Sequence, residues 1–272
     1  MISPAKLNLS LRIIEKRPDG FHEIDTLMTQ LPGLADDITA EPAEEFSFTC
    51  SDPSLPTDSS NLVVKAAEAL SEKSGKAIPF HVHLDKVIPH GAGLGGGSSN
   101  AATTLLLLND LIGSPLSMDE LHAIAADLGS DIPFFLYEGT ARCTGRGEII
   151  KAAPAAPNLP VILFKPQFPV PTPDAYRNCL EAEPLPGIHY DPQSIDDLTL
   201  VNDLEKPVFA KHRYLAELKQ WLIKNRSTRA VLMSGSGSTI FAILDQRADP
   251  IRLTKTIRKH FDPTLWSWHG TL

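Results

Sequence analysis

The segment PHGAGLGGGSSNAAT, at residues 89–103, places five of the chain's seventeen glycines within residues 91–97. Because glycine has no side chain, successive backbone N–H groups there can turn towards one point. Residues 98–111 are rich in alanine and leucine and are predicted to form a helix, whose N-terminal dipole adds positive charge at the same point. The segment therefore predicts a glycine loop and a helix start that together bind a phosphate group.

Three well-known phosphate loops fit this segment poorly. Gly91, Gly93 and Gly96 match the dinucleotide fingerprint, but a second predicted helix follows the first where that fold requires a strand. Ser98 stands where a P-loop requires lysine, and the HRD and DFG segments of protein kinases are absent. The alternative is a tight turn that binds no ligand. Five glycines beside paired serines make this alternative weaker than a phosphate-binding loop.

Composition limits the class of protein. A chain of 272 residues with formal charge −8 is long enough for two domains and gives no reason to expect a nucleic-acid partner. Three widely spaced cysteines fit a reducing cytoplasm, and no segment has the apolar length of a membrane span or the h-region of an exported protein. No obligatory protein partner is evident.

Periodicity predicts a mixture of strands and helices without regular alternation, and hence an α+β protein. An alanine- and proline-rich stretch at residues 152–160 predicts a boundary between domains 1–152 and 153–272. The remaining predicted elements are a strand at 7–14, a helix capped by Asn61, a strand at 80–88, a helix opened by Ser117 and Glu120 and closed by Gly129, a strand at VILFKP, one helix over 205–223, two strands around SGSGS and a last helix at 250–260.

Three motifs in order along the chain carry a family resemblance. PAKLNL at residues 4–9, the glycine segment at 89–101 and SGSGSTIFA at 234–242 resemble the motifs of the GHMP kinase superfamily, whose members phosphorylate small molecules. The resemblance implies a two-domain fold, with an N-terminal ATP domain like domain 2 of ribosomal protein S5 and a ferredoxin-like C-terminal domain.

Further segments narrow the resemblance within the superfamily. RPDGFHEIDTL, LGSDIPFF, GTARCTGRGE, PTPDAY and NDLE are similar to segments of the branch that phosphorylates the 2-hydroxyl of a cytidine diphosphate ester of methylerythritol, in non-mevalonate isoprenoid biosynthesis. The implied cofactors are ATP and Mg²⁺. Two alternatives stay open: a GHMP kinase for homoserine, mevalonate or a sugar, and a nucleotide-binding module without catalysis.

The resemblance assigns the chemistry to two residues. It implies that Asp131 accepts the proton of the acceptor hydroxyl and that Lys6 keeps that carboxylate ionised and stabilises charge on the attacking oxygen. Taken singly, Asp131 is an ordinary turn aspartate and Lys6 an ordinary strand lysine, so the assignment depends on the motifs around them.

The same resemblance implies a nucleotide site and an acceptor site. Residues expected around ATP are Asn61, Lys86, Gly93, Gly95, Gly96, Gly97, Ser98 and Ser99, with Ser99 also expected to bind Mg²⁺. Residues expected around the acceptor are Asn8, Phe21, His22, Thr172, Tyr176, Gly235 and Ser236. Phe21 and Tyr176 are expected to stack on the cytosine ring, and His22 to bond its polar edge.

Overall fold

The computed structural model describes residues 1–272 and places them in two β-sheets with seven α-helices. The elements up to residue 152 are β1 (Ile2–Lys16), β2 (His22–Pro42), β3 (Ser47–Cys50), α1 (Leu62–Ser74), β4 (Phe80–Asp85), α2 (Gly96–Leu111), α3 (Met118–Leu128), a 3-10 turn (Pro133–Leu136), β5 (Thr140–Gly145) and β6 (Ile149–Ala152). The later elements are β7 (Pro160–Lys165), α4 (Thr172–Tyr176), β8 (Gln193–Ile195), β9 (Leu198–Asn202), α5 (Glu205–Lys211), α6 (Arg213–Ile223), β10 (Thr228–Met233), β11 (Ile240–Leu244), α7 (Pro250–His260) and β12 (Trp266–Thr271).

The larger sheet is built on the long β1–β2 hairpin. Its order is β3-β4-β2-β1-β9-β8, and β5 pairs with both β2 and β6 beside this path. Helices α1, α2 and α3 cover one face, where Leu70, Leu105 and Phe134 lie in a common apolar core. Asn61 accepts a hydrogen bond from the Val63 amide, and Ser117 with Glu120 forms a capping box, so both predicted helix starts are confirmed.

The smaller sheet has the order β10-β11-β7-β12, with every pairing antiparallel. Apart from β8 and β9, which join the larger sheet, the elements from β7 to β12 follow the β-α-β-β-α-β order of a ferredoxin-like unit. Helices α4, α5 and α6 form its first helical segment, and α7 forms the second. This confirms the predicted α+β class and the ferredoxin-like second half.

The two sheets pack on each other through an apolar core. Strand β1 contributes Ala5, Leu7 and Leu9 to this core, and β7 contributes Val161 and Leu163. Since strand side chains alternate, Lys6 and Asn8 of β1 lie on the opposite face from these apolar residues. The inter-sheet core therefore determines which polar residues of β1 face the cavity described below.

Two predicted helices differ from the structure. The single helix predicted over 205–223 is wrong, because the chain leaves helical geometry at His212 and forms α5 and α6; the His212 ring stacks on Phe168. Helix α2 begins at Gly96, two residues before its predicted start. The division at residue 152 stays a prediction, and β9, which follows it, pairs with β1 in the larger sheet.

No helix of the structure has the length and apolar character needed to cross a bilayer.

A buried ion pair fastens helix α5 to the smaller sheet. The side chains of Glu205 and Lys219 are each 1% exposed, and Lys219 Nζ lies 2.5 Å from Glu205 Oε2. Glu205 Oε1 also accepts a hydrogen bond from the Met233 amide. Burial raises the pKa of Glu205, and the Lys219 ammonium opposes this effect. The pair thus holds the end of β10, from which the second glycine turn departs.

Glu205→Gln is expected to lower the free energy of unfolding by about 3 kcal/mol, because it leaves the Lys219 ammonium buried without a counter-charge. Urea denaturation measures the change. The control is Asp196→Asn, which removes a pair with Arg229 in which the aspartate is 61% exposed, and it is expected to cost less than about 1 kcal/mol. Equal effects of the two substitutions would contradict the role given to the buried pair.

Candidate active site

One large cavity of about 1050 Å³ lies between the two halves of the chain. This volume exceeds that of an ordinary small-molecule pocket, about 300–1,000 Å³, and is enough for two substrates. The predicted site residues that line it are Lys6, Asn8, Phe21, His22, Asn61, Lys86, Gly93, Gly95, Gly96, Gly97, Ser98, Asp131, Thr172, Tyr176, Gly235 and Ser236. Of the predicted residues, only Ser99 does not line the cavity.

The glycine loop forms part of the cavity wall and ends at the N-terminus of α2. Gly95 is the N-cap residue and has φ +71°, and a side-chain Cβ there would lie 2.7 Å from the Phe135 ring and 2.9 Å from Lys6 Cγ. By helix geometry the amides of Gly96, Gly97 and Ser98 have no intrahelical acceptor. These free amides and the helix dipole make an anion site, and no acidic residue lies in the first turn to oppose it.

Lys6 and Asp131 face each other inside the cavity. Lys6 Nζ lies 3.5 Å from Asp131 Oδ2; the Lys6 side chain is 3% exposed and that of Asp131 is 38% exposed. The Lys6 backbone amide donates to the Leu94 carbonyl, and its ammonium donates to Asn8 Oδ1. The ammonium is therefore fixed beside the glycine loop, and the carboxylate remains open to a ligand.

A second glycine turn, residues 234–239, closes against the first. Ser234 Oγ donates to the Gly93 carbonyl, and the Thr239 amide donates to the Ala92 carbonyl. A Cβ at Gly93 would lie 2.2 Å from the Ser234 carbonyl oxygen, and one at Gly235 would lie 3.1 Å from Lys6 Nζ. Glycine is thus required for the two turns to meet above the lysine.

Asn202 on β9 attaches the second turn to the larger sheet. Its amide nitrogen donates to the carbonyls of Met233 and Gly235, each at 2.8 Å, and its carbonyl oxygen accepts from the Leu204 amide. Asn202 lies beside Leu11 of β1 in the sheet register. The NDLE segment therefore supports the second turn from behind. The sequence indicates this segment only through its resemblance to the family, which assigns it no role.

Aromatic and hydroxyl side chains form the part of the cavity expected to receive the acceptor. The ring centroids of His22 and Tyr176 lie 5.4 Å apart, and their ring planes are inclined by 34°. Phe21 is 49% exposed. Thr172 and Ser236 lie within hydrogen-bond distance, 3.2 Å between hydroxyl oxygens, so α4 and the second turn are in contact. Tyr176 and Phe21 are not ring partners of each other, and both line the cavity.

Burial sets the protonation of three groups near this region. Burial and the positive charge of Lys16 lower the pKa of His22, which favours the neutral imidazole at pH 7. Burial, aided by the charge of Asp131, raises the pKa of Tyr176 and raises that of Cys143 to about 12. Cys143 is therefore a thiol and not a nucleophile, although two arginines stand near it in the sequence, at positions 142 and 146.

Lys86 has a structural partner in place of a ligand. Its ammonium lies 2.6 Å from Asp36 Oδ2 and donates to the Ile88 carbonyl. The buried Asp36 also accepts from the amides of Val87 and Ile88 and from Asn100. This network orients the strand end that leads into the glycine loop, so the predicted contact of the Lys86 ammonium with the nucleotide is not favoured by the geometry.

Ser99 does not fit the predicted role of Mg²⁺ ligand. Its side chain is fully buried, and its hydroxyl accepts a hydrogen bond from Ser3 Oγ at 2.8 Å. Ser98, one residue earlier on α2, lines the cavity instead. No group of three or more His, Cys, Asp or Glu side chains is arranged to hold a metal ion, and the carboxylates that line the cavity are Asp131 and Glu181.

The sequence interpretation missed Arg146 as a site residue. It lines the cavity, and its guanidinium carbon lies 4.8 Å from the centroid of the Phe21 ring. Arg146 stands between Gly145 and Gly147, in the turn between β5 and β6. A glycine-flanked arginine is a weak signal, because nothing local indicates which distant ring it meets.

Comparisons with known proteins agree with this architecture. The family of GHMP kinases N terminal domain matches residues 61–139, and that of GHMP kinases C terminal matches residues 191–263. The 4-diphosphocytidyl-2-C-methyl-D-erythritol kinase of Protochlamydia amoebophila is 42% identical over 89% of this chain and 83% of its own length. The chain belongs to the 4-diphosphocytidyl-2-C-methyl-D-erythritol kinase family of GHMP kinases.

Other members of this kinase family span the chain equally well. The Methylacidiphilum infernorum kinase is 42% identical over 91% of this chain and 86% of its own length. A crystal structure of 4-(cytidine 5'-diphospho)-2C-methyl-D-erythritol kinase superposes with TM-score 0.79 at 33% identity, covering 100% of this chain and 98% of that chain. A crystal structure of a homoserine kinase from Cytophaga hutchinsonii superposes with TM-score 0.62 at 18% identity. The match covers 99% of this chain and 92% of that chain, and the two share the fold.

Gly95→Ala is expected to lower the free energy of unfolding by about 2 kcal/mol or more, because alanine is strained at φ +71° and its Cβ would meet the Phe135 ring. The matched control is Gly97→Ala, two residues along, where the nearest atom to an added Cβ is Leu62 Cδ1 at 3.7 Å. Alanine there is expected to be neutral or to stabilise the helix by up to about 1 kcal/mol. Urea unfolding of both variants checks this, and equal losses would contradict the close approach of Gly95.

Proposed function

We propose that this chain transfers the γ-phosphoryl group of ATP to the 2-hydroxyl of 4-diphosphocytidyl-2-C-methyl-D-erythritol, yielding the 2-phosphate and ADP. The substrate assignment rests on the near full-length similarity to kinases that carry this substrate in their names. The chemistry rests on one observation, the Lys6–Asp131 pair at 3.5 Å beside the junction of the two glycine turns.

The residues of the chain supply binding, orientation and proton transfer. The α2 amides and the glycine loop bind the polyphosphate of ATP, and Ser98 adds a hydroxyl at the same wall. The acceptor oxygen lies beside Asp131 and Lys6, and it forms the new O–P bond as the bond from the γ-phosphorus to ADP breaks. Its proton passes to Asp131, while Lys6 stabilises the negative charge on the transferring group.

The acceptor's base occupies the aromatic part of the cavity in this proposal. Phe21 and Tyr176 stack on the cytosine ring, and neutral His22 bonds its polar edge. Thr172, Ser236, Gly235 and Asn8 lie along the path from this region to Lys6. Mg²⁺ would neutralise phosphate charge when bound, held chiefly by phosphate oxygens and water, because Ser99 is buried and the cavity holds few carboxylates.

Localisation in the cytoplasm stays part of the proposal. The relatives include bacterial kinases and also plant kinases named as chloroplastic, such as that of Oryza sativa. A small-molecule acceptor is consistent with the cavity between the two halves.

Purified protein is expected to release ADP with the cytidyl acceptor and not with homoserine, mevalonate or galactose. The physical reason is the aromatic part of the cavity, which an acceptor without a base leaves unfilled. A coupled ADP-release assay with each acceptor at equal concentration measures the preference. Turnover of homoserine without turnover of the cytidyl compound would overturn the substrate assignment and leave the fold assignment intact.

Asp131→Asn is expected to lower kcat by about 10²- to 10⁴-fold, because the amide cannot accept the proton of the acceptor hydroxyl. ATP affinity is expected to be unchanged, which calorimetric titration checks. Turnover of the cytidyl acceptor by the wild type tests the alternative of a silent nucleotide-binding module. The control is Asp127→Asn, an exposed aspartate near the end of helix α3, which precedes the Asp131 segment; Asp127 does not line the cavity. Unchanged turnover of Asp131→Asn would remove Asp131 as the base.

A further inference from the structure

The Phe21 ring is half-exposed, and the local hydrogen bonds of this residue hold only its backbone. It follows the turn that joins β1 to β2, where the Arg17 amide donates to the Phe21 carbonyl and the Phe21 amide donates to Asp19. These bonds orient the backbone, but the ring is 49% exposed. An exposed ring that must stack on a ligand loses rotational freedom on binding, and that loss weakens affinity unless the ring is held beforehand.

Arg146 covers one face of this ring. Its guanidinium carbon lies 4.8 Å from the Phe21 centroid, within the range of a cation–π contact. The planar guanidinium stacks on an aromatic face in a way that an ammonium does not. A ligand ring that stacks on Phe21 therefore uses the opposite face.

Arg146 is itself held at several points. Its guanidinium donates to the Ala126 carbonyl near the C-terminus of α3 and lies 3.7 Å from Glu148 Oε1, and its backbone amide donates to Glu148 Oε2. The side chain is only 26% exposed. The Gly145 amide before it donates to Glu23 of β2, so the whole turn is tied to the hairpin that carries Phe21.

The same turn also touches the segment that carries Asp131. A Cβ at Gly147 would lie 3.3 Å from the Ser130 carbonyl and 3.7 Å from Asp131 Oδ1. Helix α3, whose Ala126 carbonyl accepts from Arg146, leads directly into this segment. The β5–β6 turn thus lies between the aromatic part of the cavity and the Lys6–Asp131 pair.

We propose that Arg146 is a positioning residue for the acceptor's base, and that it acts through Phe21. Its guanidinium holds the ring in the orientation that stacks on a cytosine, without itself contacting the ligand. This inference rests on the proposed function, since it deepens the assignment of the aromatic part of the cavity.

The test measures the affinity of cytidine, CMP and CDP for the wild type and for Arg146→Met, by calorimetry or ligand-observed NMR. Methionine keeps apolar contact with the ring but removes the guanidinium. The expected loss is about three- to tenfold, the same for all three ligands, because they share the base and differ only in phosphate. Arg146→Lys, which keeps the charge, is expected to recover part of the loss.

Three controls separate this role from a general structural one. Arg142→Met lies in the same β5–β6 hairpin, on an exposed residue paired with Asp25 outside the cavity, and is expected to bind all three ligands as the wild type does. ATP affinity is expected to be unchanged in Arg146→Met, and the melting temperature is expected to fall by no more than about 4 °C, because the bond to the Ala126 carbonyl is lost. In a Phe21→Leu background the Arg146→Met substitution is expected to cause no further loss.

Each other outcome overturns the inference. A loss that grows from cytidine to CDP would show that Arg146 contacts phosphate directly, and a loss that persists in the Phe21→Leu background would show that it does not act through the ring. Unchanged affinities in both Arg146 variants would remove its role altogether. Turnover of the cytidyl acceptor by the wild type is measured in parallel: its absence counts against the proposed function, whereas its presence with unchanged Arg146 affinities counts against this inference alone.

Discussion

The contact between the two glycine turns is the constraint on which the site depends. Gly93 meets residues 234–237 so closely that no side chain fits between them, and Ser234 closes the contact with a hydrogen bond. The first turn belongs to the half of the chain with α2, and the second to the half with β10 and β11. Because both turns meet above Lys6, the anion site and the region for the second substrate share one ammonium. Transfer between two bound molecules requires this shared point.

Buried polar networks hold each turn from behind. Asp36 joins Lys86, Asn100 and the amides of residues 87–88 behind the first turn. Asn202 and the Glu205–Lys219 pair do the same behind the second. A buried charge without partners is costly, so these networks favour one arrangement of the loops over others. The backbone donors are thereby oriented before a ligand arrives, which is the condition for strong electrostatic stabilisation of a transition state.

Local patterns predicted many of the helices and strands, and the family resemblance supplied the site residues, nearly all of which line the cavity. The exceptions have physical reasons. Ser98 and Ser99 are neighbours in sequence but point about 100° apart on a helix, so only one can face the cavity. Which one does so depends on how α2 packs on the larger sheet. Ser99 faces the interior, where its hydroxyl accepts a hydrogen bond from Ser3 Oγ. Lys86 lies near the loop as expected, yet its ammonium is engaged by Asp36, a residue that nothing in the local sequence links to it.

The sequence by itself determined the glycine positions, the helix caps and the strand alternation that sets Lys6 and Asn8 apart from Ala5 and Leu7. These features depend on backbone geometry and on residues within a few positions of one another. Tertiary structure alone decided that Arg146 covers Phe21 and that Asn202 supports Gly235. Such contacts follow from strand register and from the apolar core between the sheets, and both are set by burial over the whole chain, which no local pattern encodes.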